Sequence, residues 1–145
     1  MTLYADTSFL YSYYSTDTNS TRADLWRQAN VVPLPWTVLH RLELRNALGL
    51  AVFQQRATAN ETAEAWKTVE HDLATSLMVE RTLSLAGLYQ EAEKLAANHT
   101  AVTGTRSLDI LHVAAAQQLG ADEFVTFDQR QMALANRVGL KQAAL

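Results

Sequence analysis

The 145-residue chain contains no cysteine. Disulfides, thiolate zinc sites and cysteine nucleophiles are therefore excluded, and a reducing, cytoplasmic setting is expected. Proline occurs only in VVPLPW, at Pro33 and Pro35, and no linker, repeat or low-complexity stretch is visible. No apolar run approaches the roughly 18 residues needed for a membrane span. The segment MTLYADTSF has neither a charged n-region nor a long apolar stretch, so no signal peptide and no membrane partner are expected. Basic runs are missing too: arginines stand singly at positions such as Arg41, Arg45, Arg56, Arg106 and Arg130. The four histidines, His40, His71, His99 and His112, form no close metal-binding pair.

What remains is an ordinary globular composition, 48% hydrophobic and 19% charged. The length fits a single domain over 1–145 with one substantial core. The formal net charge of −3 argues against RNA binding through bulk charge. Two divalent cations on acidic side chains would change that figure, since −3 + 4 gives +1.

The hydrophobic pattern alternates between strand and helix. Thr2–Ala5 and EFVTF read as short buried strands. Helices are predicted over Thr7–Tyr14, over Ser20–Ala29 with Asn19 or Ser20 as cap, and over Val38–Gln55 on the spacing of Leu39, Leu42, Ala47 and Leu50. A further helix starts in TANETAEAW behind Thr58 or Asn60, and another spans LAGLYQEAEKLAANH. Ser107 is expected to cap Leu108–Leu119, with Gly120 at the C′ position. Asp128–Arg137 reads as a short helix. VVPLP is a poor strand that ends at Pro35, because proline removes a ladder donor. MVERTLSL alternates like a strand, and GLKQAAL adds a last one. This order predicts a three-layer α/β/α fold with a mainly parallel central sheet, whose ligands gather beyond the carboxyl ends of the strands.

Four isolated acids stand out: Asp6 after MTLYA, Glu43 within LHRLELRNALGLAVF, Asp109 within SLDILHVAAAQQL, and Asp128 after EFVTF. A carboxylate is costly to bury without a positive partner. A shared Mg²⁺ or Mn²⁺ ion held by carboxylates and water accounts for all four together. Each also has a simpler role. Asp6 and Asp128 suit helix N-caps, Asp109 favours a helix dipole, and Glu43 suits a buried ion pair with an arginine. Glu43 shares its helical face with Leu39, His40, Ala47 and Leu50, which points it inward or into a cleft.

The order of these acids, with the segments YADTSFL (4–10), HRLELRNAL (40–48) and RSLDILHVAAAQQLGADEFVTFD (106–128), resembles the PIN-domain ribonucleases. The likeness is greatest to the VapC-like toxins of toxin–antitoxin pairs. The third segment is the most specific, and the likeness runs nearly end to end, although residues 56–100 match in layout alone and QRQMALAN is less typical. The resemblance implies a PIN-like α/β/α sandwich in which Asp6, Glu43, Asp109 and Asp128 form an acidic pocket for one or two Mg²⁺ or Mn²⁺ ions. It implies metal-dependent endonuclease cleavage of RNA, leaving 5′-phosphate and 3′-hydroxyl ends. Thr7, Ser8 and Thr126 match small polar positions beside that pocket. Arg106 and Arg130 are candidates for phosphate contact or for ion pairs with neighbouring acids. Asp122 reads as structural, and His40 and His112 as core histidines. The implied partners are RNA, a cognate antitoxin lying on an apolar groove near Trp26 and Phe53, and a second copy of the chain. An RNA-processing nuclease on the same fold, or a non-catalytic module binding metal or protein, are the competing readings.

Overall fold

Five short strands, every pair of them parallel, and seven helices make up the chain. In order they are β1 (Leu3–Ala5), α1 (Thr7–Tyr14), α2 (Ser20–Ala29), β2 (Leu34–Trp36), α3 (Val38–Phe53) and α4 (Ala59–Ala74). There follow β3 (Met78–Glu80), α5 (Leu85–Thr103), α6 (Ser107–Gln118), β4 (Glu123–Val125), α7 (Gln129–Arg137) and β5 (Lys141–Gln142). The computed structural model describes all 145 residues and resolves into two compact units: Met1–Asp6 with Thr82–Ala144, and Thr7–Arg81 with Leu145.

The first unit holds the sheet β1-β4-β5 with α5, α6 and α7. Its centre is apolar on every side: Leu3, Tyr4, Ala5, Phe124 and Val125 are all buried, as expected of parallel strands covered by helices. The Tyr4 ring stacks on Phe124 at 5.6 Å, and its hydroxyl meets His112 Nδ1 at 2.7 Å, so His112 is a satisfied core histidine. The run Ala114, Ala115 and Ala116 is buried, and its small side chains let α5 and α7 pack closely on α6. Asp122 is structural: its Oδ2 accepts from Thr2 N at 2.8 Å and so pins the start of β1.

The second unit pairs β2 with β3 and packs α1 against α2, α3 and α4. Trp26, Trp36 and Trp66 are buried anchors. Phe9 meets Trp26 edge-on at 5.1 Å, Trp36 stacks on His40 at 5.7 Å, and the Arg45 guanidinium lies over Trp66 at 4.0 Å. His40 Nδ1 also accepts from Thr37 N at 2.9 Å and closes the N-terminus of α3.

Several local expectations change. Pro35 does not end its strand; it sits in the middle of β2 opposite Val79. Leu34 N donates to Leu77 O and Trp36 O accepts from Arg81 N, so the polar groups of Pro35 point away from β3 and its missing N–H costs no ladder bond. The strand predicted over MVERTLSL stops at Glu80, because its partner β2 has only three residues. Ser107 is the first helical residue of α6, and the N-cap position belongs to Arg106. On α3 the buried stripe is His40, Leu44, Leu48 and Ala51. Leu42 and Leu50, expected on the buried face, are 68% and 45% exposed.

One consequence for pH follows from the second unit. The Tyr14 hydroxyl donates to Asp72 Oδ2 at 2.6 Å, and burial, then this bond and the Asp72 charge, hold its ionisation well above the usual tyrosine value. Tyr13 is shifted the same way, mainly by burial. Below about pH 10 both phenols are neutral, folded or unfolded, and their contribution to stability is complete. Above it the unfolded chain ionises first, so stability is lost as pH rises. Urea unfolding at pH 7, 9 and 10.5 should show this decline, and Tyr14→Phe should make it shallower. A slope unchanged by Tyr14→Phe would contradict the assignment.

Candidate functional site

β1 and β4 lie side by side and parallel, with Ala5 opposite Val125. Both strands therefore end at the same edge of the sheet. Asp6 follows β1 directly, and its N–H donates to Val125 O at 3.0 Å, one step beyond the strand itself. Thr126 follows β4, and Asp128 stands two residues further on. The carboxyl ends of neighbouring parallel strands are where open α/β sheets bind ligands.

Three of the four acids are tied together here by hydrogen bonds. Asp6 is fully buried, and its Oδ2 accepts from the Thr126 hydroxyl at 2.6 Å. The same hydroxyl oxygen accepts from Asp128 N at 2.9 Å. Asp128 Oδ1 accepts from Arg130 N at 2.8 Å and Gln131 N at 3.0 Å, which makes it the N-cap of α7. Gln131 Nε2 donates to Asp109 Oδ1 at 3.1 Å. Asp109 Oδ2 accepts from Arg106 N at 3.2 Å. One relay, Asp6–Thr126–Asp128–Gln131–Asp109, thus crosses from the β1 end to the start of α6. The local roles of Asp109 and Asp128 at helix starts and their membership of this relay are both present.

Arg106 and Arg130 are exposed in the same unit. The other proposed residues belong to the second unit. Glu43 is half-buried on α3, between half-buried Leu39 and Ala47, at the margin of the buried stripe. Thr7, buried, and Ser8, half-buried, open α1.

Every donor atom in the relay that a cation would meet is oxygen, from carboxylates and one hydroxyl. That set suits Mg²⁺ or Mn²⁺ and not a softer metal. Gln131 Oε1 adds a buried oxygen with no hydrogen-bond partner, a neutral hard donor beside Asp109. The residues fit such an ion on this chemistry. No three Asp, Glu or His side chains stand together as a finished ligand cluster; Mg²⁺ commonly takes one or two carboxylates and keeps several waters.

Gln131 is the residue that sequence reasoning passed over. Its signal is an amide three residues after Asp128, at a position whose helical partners Leu134 and Ala135 are buried.

The whole chain has the fold of PIN-domain structures. It superimposes on the crystal structure of PAE2754 from Pyrobaculum aerophilum with a TM-score of 0.63 and 20% sequence identity, covering 98% of this chain and 83% of that one. It is also similar to the crystal structure of FitAcB from Neisseria gonorrhoeae, with a TM-score of 0.59, 16% identity, and 98% and 96% coverage. No protein-family model and no curated protein matches this chain.

Proposed function

We propose that this chain is a metal-dependent endoribonuclease acting as the toxin of a toxin–antitoxin pair. The observation that carries the reading is the hydrogen-bonded relay joining Asp6, Asp128 and Asp109 at the carboxyl ends of β1 and β4, in a chain with the PIN-domain fold. A hydrogen-bonded network that gathers three acidic residues at one edge of the sheet concentrates negative charge there. A divalent ion would offset that charge, acidify a water molecule and oppose the charge that develops on phosphorus.

In this reading Asp6, Asp109 and Asp128 hold the ion and the attacking water, and Thr126 fixes the rotation of the Asp6 carboxylate. Glu43 joins them as the fourth acid on the strength of HRLELRNAL alone. Hydrolysis forms a bond from water oxygen to phosphorus and breaks the bond to the 3′ oxygen. The water's protons pass to solvent through the carboxylates and to the leaving oxygen. Arg106 and Arg130, exposed in the first unit, are placed in this reading against the RNA backbone, where each phosphate contact makes binding salt-dependent.

A protein partner is part of the reading. On α3, Val38, Leu42 and Phe53 are 61%, 68% and 83% exposed. At spacings of four and eleven they share one side of the helix. An antitoxin or a second copy of the chain would bury that face. Trp26, expected beside it, is instead buried in the core. No helix is long and apolar enough to cross a membrane, and the proposed setting is the cytoplasm.

The test is cleavage of total cellular RNA by purified protein with Mg²⁺ or Mn²⁺, with EDTA, and with Asp109→Asn. Discrete fragments with 5′-phosphate ends that disappear with EDTA and with the substitution are expected. A second reading, a non-catalytic PIN-fold module, draws on the helix-start roles of Asp109 and Asp128. It predicts that Asp109→Asn leaves partner binding intact and that no fragments form under any of these conditions.

A further inference from the structure

Gln131 stands on the inner face of α7, 4% exposed, three and four positions (about one turn) before buried Leu134 and Ala135. A side chain in that place normally contributes by being apolar. Here an amide fills it, and the amide is only half satisfied. Nε2 donates to Asp109 Oδ1 at 3.1 Å, while Oε1 is buried with no hydrogen-bond partner. An orphaned buried carbonyl is a net cost to folding. Methionine would fill similar space without that cost. Packing therefore does not account for the glutamine, whereas its contact with Asp109 does.

The contact is well placed to matter. Arg106 N reaches Asp109 Oδ2 from the start of α6, and Gln131 Nε2 reaches Oδ1 from α7. Donors on two helices thus set the rotation of one carboxylate. The Gln131 backbone N–H also bonds Asp128 Oδ1, so one residue touches two of the three acids. On the reading of the acids as a cation site, on which this inference rests, we propose that Gln131 is a positioning residue. Its amide holds the Asp109 carboxylate in the orientation that receives the divalent ion, at the expense of stability in the metal-free protein.

The experiment compares the full chain with Gln131→Met and Gln131→Leu, first by thermal unfolding in EDTA and then by calorimetric titration with Mn²⁺, without RNA. Both variants should melt at or above the parent temperature. Mn²⁺ affinity should fall by about 10- to 100-fold, the usual effect of losing a group that orients a ligand. In an Asp109→Asn background, Gln131→Met should lower Mn²⁺ affinity no further, since the two residues act as one. Saturating Mn²⁺ should restore RNA cleavage by Gln131→Met. Parent-like Mn²⁺ affinity in both variants would overturn the inference alone. So would a lower melting temperature in both, which would make Gln131 a packing residue. Absence of Mn²⁺ binding by the parent protein would overturn the cation-site reading itself, and this inference with it.

Discussion

Asp6→Asn is expected to abolish RNA cleavage while leaving the protein folded. Asp6 is fully buried, and its Oδ2 accepts a hydrogen bond from the Thr126 hydroxyl at 2.6 Å. An asparagine carbonyl oxygen accepts the same bond, so the end of β1 keeps its tie to the end of β4. What disappears is the negative charge. Without a cation, removing the charge of a buried carboxylate relieves its desolvation. Melting in EDTA should then stay within a few degrees of the parent or rise. With a cation, the same change removes a charged ligand. The loss of several kcal/mol of transition-state stabilisation amounts to roughly 10³-fold in rate. Circular dichroism melts and single-turnover cleavage on the same samples separate the two effects. Cleavage at the parent rate by a folded Asp6→Asn protein would remove Asp6 from the proposed site.

Thr126→Val should have the second-largest effect, on stability and activity together. Valine matches threonine in shape and keeps the β-branch that suits the residue after β4. It deletes one hydroxyl that donates to Asp6 and accepts from Asp128 N. A hydrogen bond to a charged group contributes about 1.5–3 kcal/mol, and Thr126 is itself buried. Stability in urea should fall by about that amount. Cleavage should fall roughly 10- to 100-fold as the Asp6 carboxylate loses its orientation. Thr126→Ser, which retains the hydroxyl, should recover most of both. Equal losses from the serine and valine variants would mean that the methyl group, not the hydroxyl, matters here.

Much of the fold can be read along the chain because its causes are local. Thr58 caps α4 through Glu61 N at 3.1 Å, Asp128 caps α7, and Gly120 adopts the left-handed φ of +69° expected one step past a helix end. These features depend on residues within a turn of one another. The alternation of strands and helices also implied parallel pairing, since a strand that returns through a helix runs in its original direction. Where local reading failed, the missing information lay elsewhere in the sequence. Pro35 is tolerated within β2 because β3 pairs with the other edge of that strand. The alternation after Met78 is not used beyond Glu80 because β2 is short. The turn of α3 that sends Leu44 and Leu48 inward and leaves Leu42 out depends on what packs against it, which helical periodicity alone specifies only to within a residue or so.

The acids divide in the same way. By itself the sequence determined their identity, the places of Asp6, Asp109 and Asp128 at strand ends and helix starts, and the oxygen-only chemistry that suits a hard cation. Tertiary structure alone decided which of them share hydrogen bonds. Thr126 meets Asp6 across 120 positions of sequence, and Gln131 meets Asp109 across 22. Parallel pairing of β1 with β4 brings the first pair together, and packing of α6 on α7 brings the second. Periodicity reports which side of an element is apolar. It carries no record of which distant side chain will stand opposite a carboxylate, because that is settled only when the strands and helices have packed.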